Sequence, residues 1–225
     1  MQYHAPATVK DAVKLLASSK GSTHILAGGT DLLVRMRSGF SEPETIIDIK
    51  RISPMCKIAR DGKGFFIGAA VSSSEMSENA ALARAWPGVV ESAALIGSTQ
   101  IQGRATIAGN LCNASPAADS VPAMVAAGAK ALIRGPNGKR KVAVEKICKS
   151  PGKTILKKGE LLEAILLPAK PARTGDAYLR FIPRTEMDIA VAGAGICVTL
   201  DAKGVCTAAR VCLGAVAPTV RLGAK

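Results

Sequence analysis

The sequence predicts an α+β fold organised around two loops of small residues. Three observations lead there. Apolar β-branched runs alternate with amphipathic stretches over the first half, the pattern of strand and helix. Hairpin signals follow, Pro136-Asn137-Gly138 and Asp201-Ala202-Lys203-Gly204, each between apolar runs. Two segments, 23–33 and 103–122, concentrate Gly, Ala, Thr, Asn and Ser where strand hands over to helix.

Taken in order, Thr8 is placed to cap a helix over 9–16, with Asp11 as its acidic partner three residues on and Gly21 as its stop. A buried strand over 25–27, a helix over 32–36 and a β-branched strand over 45–49 complete a small βαβ-like unit that ends near Pro54. A strand begins at 65–69. Ser74 is expected to cap a helix over 75–84, and Pro87 to start another through Val89, Val90, Ala93, Ala94 and Ile96. Gly103 opens a long loop, and Pro122 starts the helix after it. Strands over 130–133 and 142–144 flank the first hairpin turn, and two apolar segments fall within 155–168. The last region holds a strand over 176–181 and a hairpin of 196–200 with 205–213. Period-two alternation puts Ile196, Val198 and Leu200 on one face, which Val205, Val211 and Leu213 join if something covers it. The run 220–225 therefore reads as an abrupt end to a sheet that lacks its covering helices. The expected division is 1–55, 56–175 and 176–225.

At 225 residues, with 48% hydrophobic and 21% charged residues, the chain can bury a globular core. No apolar run has the length of a membrane span, and the first ten residues lack a signal-peptide core, so a cytoplasmic location is expected. The formal charge is +13, densest from Arg134 to Lys158, where Glu145 alone opposes it. Aromatics are only 3% of the chain, and none interleaves with that band, which argues against a groove that stacks nucleic-acid bases. A solvated face or a dock for an acidic protein fits better. The six cysteines form no C-x-x-C pair and neither histidine has ligand spacing to them, so no metal ligands are assigned. Cys112 lies in the second small-residue loop, but without a local base it is not expected to be a nucleophile.

The two loops carry the chemistry. Thr106-Ile107-Ala108-Gly109-Asn110 forms a small-residue turn where backbone N–H groups can lie bare. Glycine permits the positive φ that lines up successive amides into an anion-binding nest. Thr106, Asn110, Asn113 and Ser115 add short polar side chains, and Asp119 is the only acid in the run. Alone, the segment also fits a polar surface loop. Upstream, the Gly28-Gly29 pair brings bare amides and the positive end of a helix to one point, which suits a phosphate. It is neither G-x-G-x-x-G nor a P-loop, and a tight structural turn fits it as well.

Four features in order give a resemblance covering essentially the whole chain. Tyr3 and Pro6 precede Asp11, Ala12, Leu15 and Leu16; Ala27-Gly28-Gly29-Thr30-Asp31-Leu32 follows. Next comes Thr106-Ile107-Ala108-Gly109-Asn110-Leu111 with Ser115, Pro116 and Asp119. Last are Tyr178, Arg180, Arg184 and Asp188-Ile189-Ala190, then Leu213-Gly214-Ala215-Val216-Ala217-Pro218. With these, the chain resembles the FAD-binding medium subunit of molybdenum hydroxylases, the carbon monoxide dehydrogenase and xanthine dehydrogenase family. The resemblance implies a two-subdomain FAD-binding fold of the vanillyl-alcohol-oxidase (PCMH) type, followed by a truncated α+β C-terminal domain. It implies FAD between the first two subdomains, with Leu26, Ala27, Gly28, Gly29, Thr30, Asp31 and Leu32 on one loop and Thr106, Ala108, Gly109 and Asn110 on the other. Cys112 and Asn113 would lie near the isoalloxazine, Asp119 would bond the adenosine ribose region, and Leu162 and Arg180 would complete the site. Ala108 stands where many members have Gly, and Arg180 where most have Lys. The family's C-terminal domain also extends further.

The implied role is electron transfer. Electrons would come from the 2Fe–2S clusters of a small partner subunit, and molybdopterin would sit in a large one. FAD would be this chain's own cofactor, in a hetero-oligomer without nucleic acid or membrane span. No side chain is required as a catalytic acid, base or nucleophile. The rivals are a stand-alone FAD oxidase, which needs acid/base residues over the flavin, and a basic scaffold module without cofactor.

Overall fold

The computed structural model describes residues 1–62, 64–185 and 187–223. It contains three main sheets, and the candidate cleft opens between the first and the elements that follow the strand Gly64–Gly68.

The first sheet is parallel. β1 (Gln2–His4) leads through α1 (Val9–Ser18) to β2 (Thr23–Leu26), then through α2 (Leu32–Arg37) to β3 (Thr45–Asp48), in the order β1-β3-β2. Thr8 caps α1 as expected: its hydroxyl oxygen accepts from the Asp11 N–H at 3.1 Å and donates to the Asp11 carboxylate at 2.6 Å. The central strand is buried on both faces, at Ile46 and Ile47, as helix-covered parallel strands are. The βαβ-like expectation missed β1, whose three residues are too few to show a period, and the strand expected to be buried over 25–27 is the half-buried Thr23–Leu26.

The second sheet is antiparallel. β4 (Ile58–Asp61) and β5 (Gly64–Gly68) lead into a helical stretch: α3 (Ser73–Glu78), α4 (Ala80–Ala85), α5 (Pro87–Ala94), α6 (Thr99–Gln102), α7 (Ile107–Asn113) and α8 (Ser120–Ala126). The hairpin of β6 (Lys130–Gly135) and β7 (Gly138–Ala143) follows, then a small ribbon, β8 (Cys148–Ser150) and β9 (Lys153–Thr154), and finally β10 (Leu161–Leu167). The strand order is β4-β5-β10-β6-β7. Pro87 opens α5 as expected. Three local expectations need correction. The cap of α3 is Ser72, not Ser74, because only Ser72 completes a reciprocal box with Glu75; Asn79 then interrupts the helix and caps α4. Half of the stretch 103–122, in α7 and the start of α8, is helical where a loop was expected. The helix after it starts at Ser120, with Pro122 inside its first turn. In the basic band, Arg134 and Arg140 are paired with Glu163 and Glu160 of the β10 side, while Lys139, Lys141, Lys149 and Lys153 are exposed.

The third sheet, β11 (Thr174–Phe181), β12 (Ala192–Leu200), β13 (Cys206–Gly214) and β14 (Arg221–Leu222), is antiparallel in chain order. The expected apolar face is present and open: Ile196 pairs with Val211 and Ala194 with Leu213, and Leu200, Val211 and Leu213 are exposed. The cover lies on the opposite face. The covered face of β12 carries Gly193, Gly195 and Cys197, packed under α8; Ile196 and Val198 point to the open side. The reason is distance. A Cβ at Gly195 would lie 2.3 Å from the Pro122 carbonyl oxygen, so α8 approaches the strand too closely for any side chain. The larger residues are displaced outward, and Leu179 and Phe181 on β11 are 70% and 64% exposed. The last predicted run includes Ala224 and Lys225, which lie outside the described residues.

Candidate functional site

A cleft of about 760 Å³ opens between the first sheet and the elements that follow β5. Ala27, Gly28, Gly29, Thr30, Asp31 and Leu32 form one wall; Thr106, Ala108, Gly109, Asn110, Cys112 and Asn113 form another. Leu162 and the β8–β9 turn contribute a third side. Of the residues singled out from sequence, Leu26, Asp119 and Arg180 are not in the lining.

The first loop is a true glycine turn. Gly29 has φ +82°, a region that a Cβ makes costly. Gly28 has no positive φ but admits no side chain, since a Cβ there would sit 2.0 Å from the Arg104 carbonyl oxygen. The two loops thus meet backbone to backbone. Among the described residues, the N–H groups of Gly28, Gly29 and Thr30 have no protein acceptor.

The second loop differs from the nest expected of it. Thr106 is the N-cap of α7, and its hydroxyl oxygen accepts from the Gly109 N–H at 2.9 Å. Gly109 and Ala108 are helical, with negative φ, so alanine at 108 carries no strain. The Asn110 side-chain oxygen is turned away to α8, where it accepts from the Ser120 hydroxyl at 2.7 Å. Asn113 crosses the cleft, donating to the Asp31 carboxylate at 3.1 Å. Burial pushes the Cys112 thiol up to about 12, with Cys148 adding to the effect, so it stays neutral and non-nucleophilic.

Asp119 and Arg180 pair with one another behind the second loop. Arg180 Nη1 donates to Asp119 Oδ2 at 3.0 Å and to the Leu95 carbonyl at 3.1 Å, while the Tyr178 hydroxyl donates to Asp119 Oδ1 at 2.9 Å. Burial raises the Asp119 carboxyl, against the opposing pull of Tyr178 and Arg180. The trio joins α8 to β11.

Sequence inspection missed several cleft residues. His24 lies in the wall; its Nδ1 is buried without a partner among the described residues, and burial, aided by Arg35, lowers its basicity. Lys20, Arg35, Lys157 and Lys158 line the cleft against Asp31 and Glu160. Burial raises the Asp31 carboxyl, and Glu160 is already paired with Arg140. These residues come from four separate segments without a shared motif. Only the dense positive charge around 157–158 hinted at them.

Bare amides, an orphaned imidazole nitrogen and an excess of cations fit an elongated, diphosphate-bearing ligand. They define a nucleotide-cofactor-binding protein. Its family follows from comparison with known proteins. The profile described as "FAD binding domain in molybdopterin dehydrogenase" matches residues 1–170, and "CO dehydrogenase flavoprotein C-terminal domain" matches 177–225. The chain therefore belongs to the family of FAD-binding subunits of molybdopterin dehydrogenases. It is 33% identical to the carbon monoxide dehydrogenase medium chain of Hydrogenophaga pseudoflava, over 97% of this chain and 75% of that protein. It is also 33% identical to a xanthine dehydrogenase FAD-binding subunit of Escherichia coli, over 96% and 74%. Carbon monoxide dehydrogenase from Hydrogenophaga pseudoflava superposes with a TM-score of 0.93 at 32% identity, over 99% of this chain and 77% of that one. Quinoline 2-oxidoreductase from Pseudomonas putida 86 superposes at 0.90 and 26% identity, over 99% and 76%. These relatives are oxidoreductases, several named as subunits or medium chains. Among the described residues, no helix is long and apolar enough to cross a membrane, and no cluster of His, Cys, Asp and Glu could hold a metal.

Proposed function

We propose that this chain is the flavin relay of a multi-subunit molybdenum hydroxylase. It would receive electrons from the iron–sulfur clusters of a small partner and deliver them to an acceptor, with the molybdopterin in a large partner. The observation that carries this is the cleft itself: unpartnered Gly28, Gly29 and Thr30 amides beside a cation-rich wall, in a chain of an FAD-binding family. When bound, FAD supplies the redox chemistry, accepting and releasing electrons singly or in pairs.

The chain's own residues bind and orient. The loops 26–32 and 106–113 would take the diphosphate and the adjoining ribityl, with residues 1–55 and 56–175 as the two sides of the cleft. Leu162 would pack on the cofactor. Leu26 would shape the first turn from beneath, and Cys112 and Asn113 would meet the ring end. Asp119 and Arg180, bonded to one another outside the lining, would brace the second loop against 176–225. No side chain is asked to move a proton.

Purification alone and with candidate iron–sulfur and molybdenum partners tests this. The expected product has a flavin absorbance band, and reducing substrate bleaches that band only when the partners are present. A colourless protein that takes up no added FAD would overturn the proposal. So would bleaching by substrate without partners, the behaviour of a self-sufficient oxidase.

A further inference from the structure

Beneath the first glycine loop lies a polar network that no cleft residue explains. Asp48, at the end of β3, is 6% exposed. Its Oδ2 accepts from the Tyr3 hydroxyl at 2.6 Å; its Oδ1 accepts from the Lys50 N–H at 2.9 Å and from Lys50 Nζ at 2.8 Å. The same ammonium donates to the Ala27 carbonyl at 3.0 Å. One residue earlier, the Leu26 carbonyl accepts from the Ile49 N–H at 3.1 Å. Both carbonyls that lead into the glycine pair are therefore held from the β3 side. Lys50 itself does not line the cleft.

Peptide planarity gives this network a consequence. All described peptide bonds are trans, so the Gly28 N–H points opposite to the Ala27 carbonyl. Tying that carbonyl to Lys50 fixes the direction of the Gly28 N–H, one of the amides without a protein acceptor. A glycine peptide is otherwise the easiest in the loop to rotate, because no side chain resists it. Resting on the flavin assignment above, we propose that Lys50 is a positioning residue for the cofactor: its ammonium, seated on Asp48, holds the Ala27–Gly28 peptide so that the Gly28 N–H faces the diphosphate. Asp48 serves to hold the ammonium, and Tyr3 to hold the carboxylate.

The geometry of a bond to a charged donor sets the size of effect, about tenfold in affinity. The experiment titrates the full chain, stripped of flavin, with FAD, following flavin fluorescence. Lys50→Met keeps the aliphatic stem and removes the donor; it is expected to weaken FAD about tenfold with an unchanged circular dichroism spectrum. Lys50→Arg, which restores a cationic donor, is expected to recover most of the loss, a rescue that a merely space-filling role would not show. FAD bound by Lys50→Met as tightly as by the unaltered chain overturns the role of Lys50, as does an arginine variant as weak as the methionine one. Should Lys50→Met not fold, Asp48→Asn with Lys50 in place is decisive: an intermediate loss supports the role, and unaltered affinity overturns it. An unaltered chain that binds no FAD instead overturns the flavin assignment and takes this inference with it.

Discussion

The two small-residue loops look alike in composition but stand on different physics. The first depends on the absence of Cβ atoms. Gly29 occupies positive φ, and Gly28 lies against the Arg104 backbone with no room for a methyl group. The second is an ordinary helix start, with Thr106 as its cap and no residue from 106 to 113 at positive φ. Glycine is obligatory in one and a convenience in the other. A Gly-rich run therefore does not identify a nest; close backbone approach or a left-handed φ does.

The sharpest way to break this contrast is a matched pair of alanine substitutions. Gly28→Ala drives a Cβ into a carbonyl oxygen, and the loops must separate. The expected cost is on the order of 3 kcal/mol, with loss of FAD retention. At Gly109 a Cβ would meet only the Thr106 hydroxyl oxygen, at 2.9 Å, and alanine favours the helix. Gly109→Ala should therefore change stability by less than about 1 kcal/mol and keep FAD. Denaturant melts with flavin absorbance on both variants measure this, and equal damage in the two would erase the distinction.

A smaller effect probes the cap. Thr106→Ala should cost about 1 kcal/mol and Thr106→Ser nearly nothing, because the hydroxyl oxygen bonded to the Gly109 N–H is what matters. Unchanged stability in the alanine variant would mean that the second loop is not organised as a capped helix.

The smallest effect concerns pH, and its sign differs between the loops. Beneath the first, burial pushes the Asp48 carboxyl up, but the bonds from Lys50 and Tyr3 outweigh it and hold the group below the usual carboxylate range. Its stabilising contribution is therefore present above about pH 4 and lost as pH falls through the depressed value. Beside the second, burial wins at Asp119 and the carboxyl is raised. That contribution is present at low pH and lost as pH rises from about 4 through the raised value. In urea midpoints between pH 3 and 7, the deficit of Asp48→Asn should shrink on acidification, and that of Asp119→Asn should grow. Parallel trends would show that the two carboxylates share one environment.

Local rules carried much of the fold. The Thr8 cap, the Pro87 start, the β-branched strand at Thr45 and the Pro136-Asn137-Gly138 turn all depend on neighbours within a few residues, and each formed as expected. The loop segments of the cleft were legible for the same reason, since small residues between strand and helix are a local signal. The placement of Asp119 and Arg180 was not. They are 61 residues apart, and whether they meet a ligand or one another depends on how β11 docks on α8. Nor could Lys50 be found, because its partner Ala27 comes from a neighbouring strand end, 23 residues away. The open apolar face of β12 was legible from alternation, but the covered face opposite it was not, because small residues give no hydrophobic signal. The tertiary fold brings the α8 backbone against Gly195 and the Tyr178 side chain against Gly193, leaving no room for a Cβ at either, with Cys197 buried on the same face. Sequence alone thus determined the locally coded elements and where the small-residue loops fall. Backbone-to-backbone distances, set only when distant segments pack, decided which face is buried, which carboxylate is paired and which amides remain free.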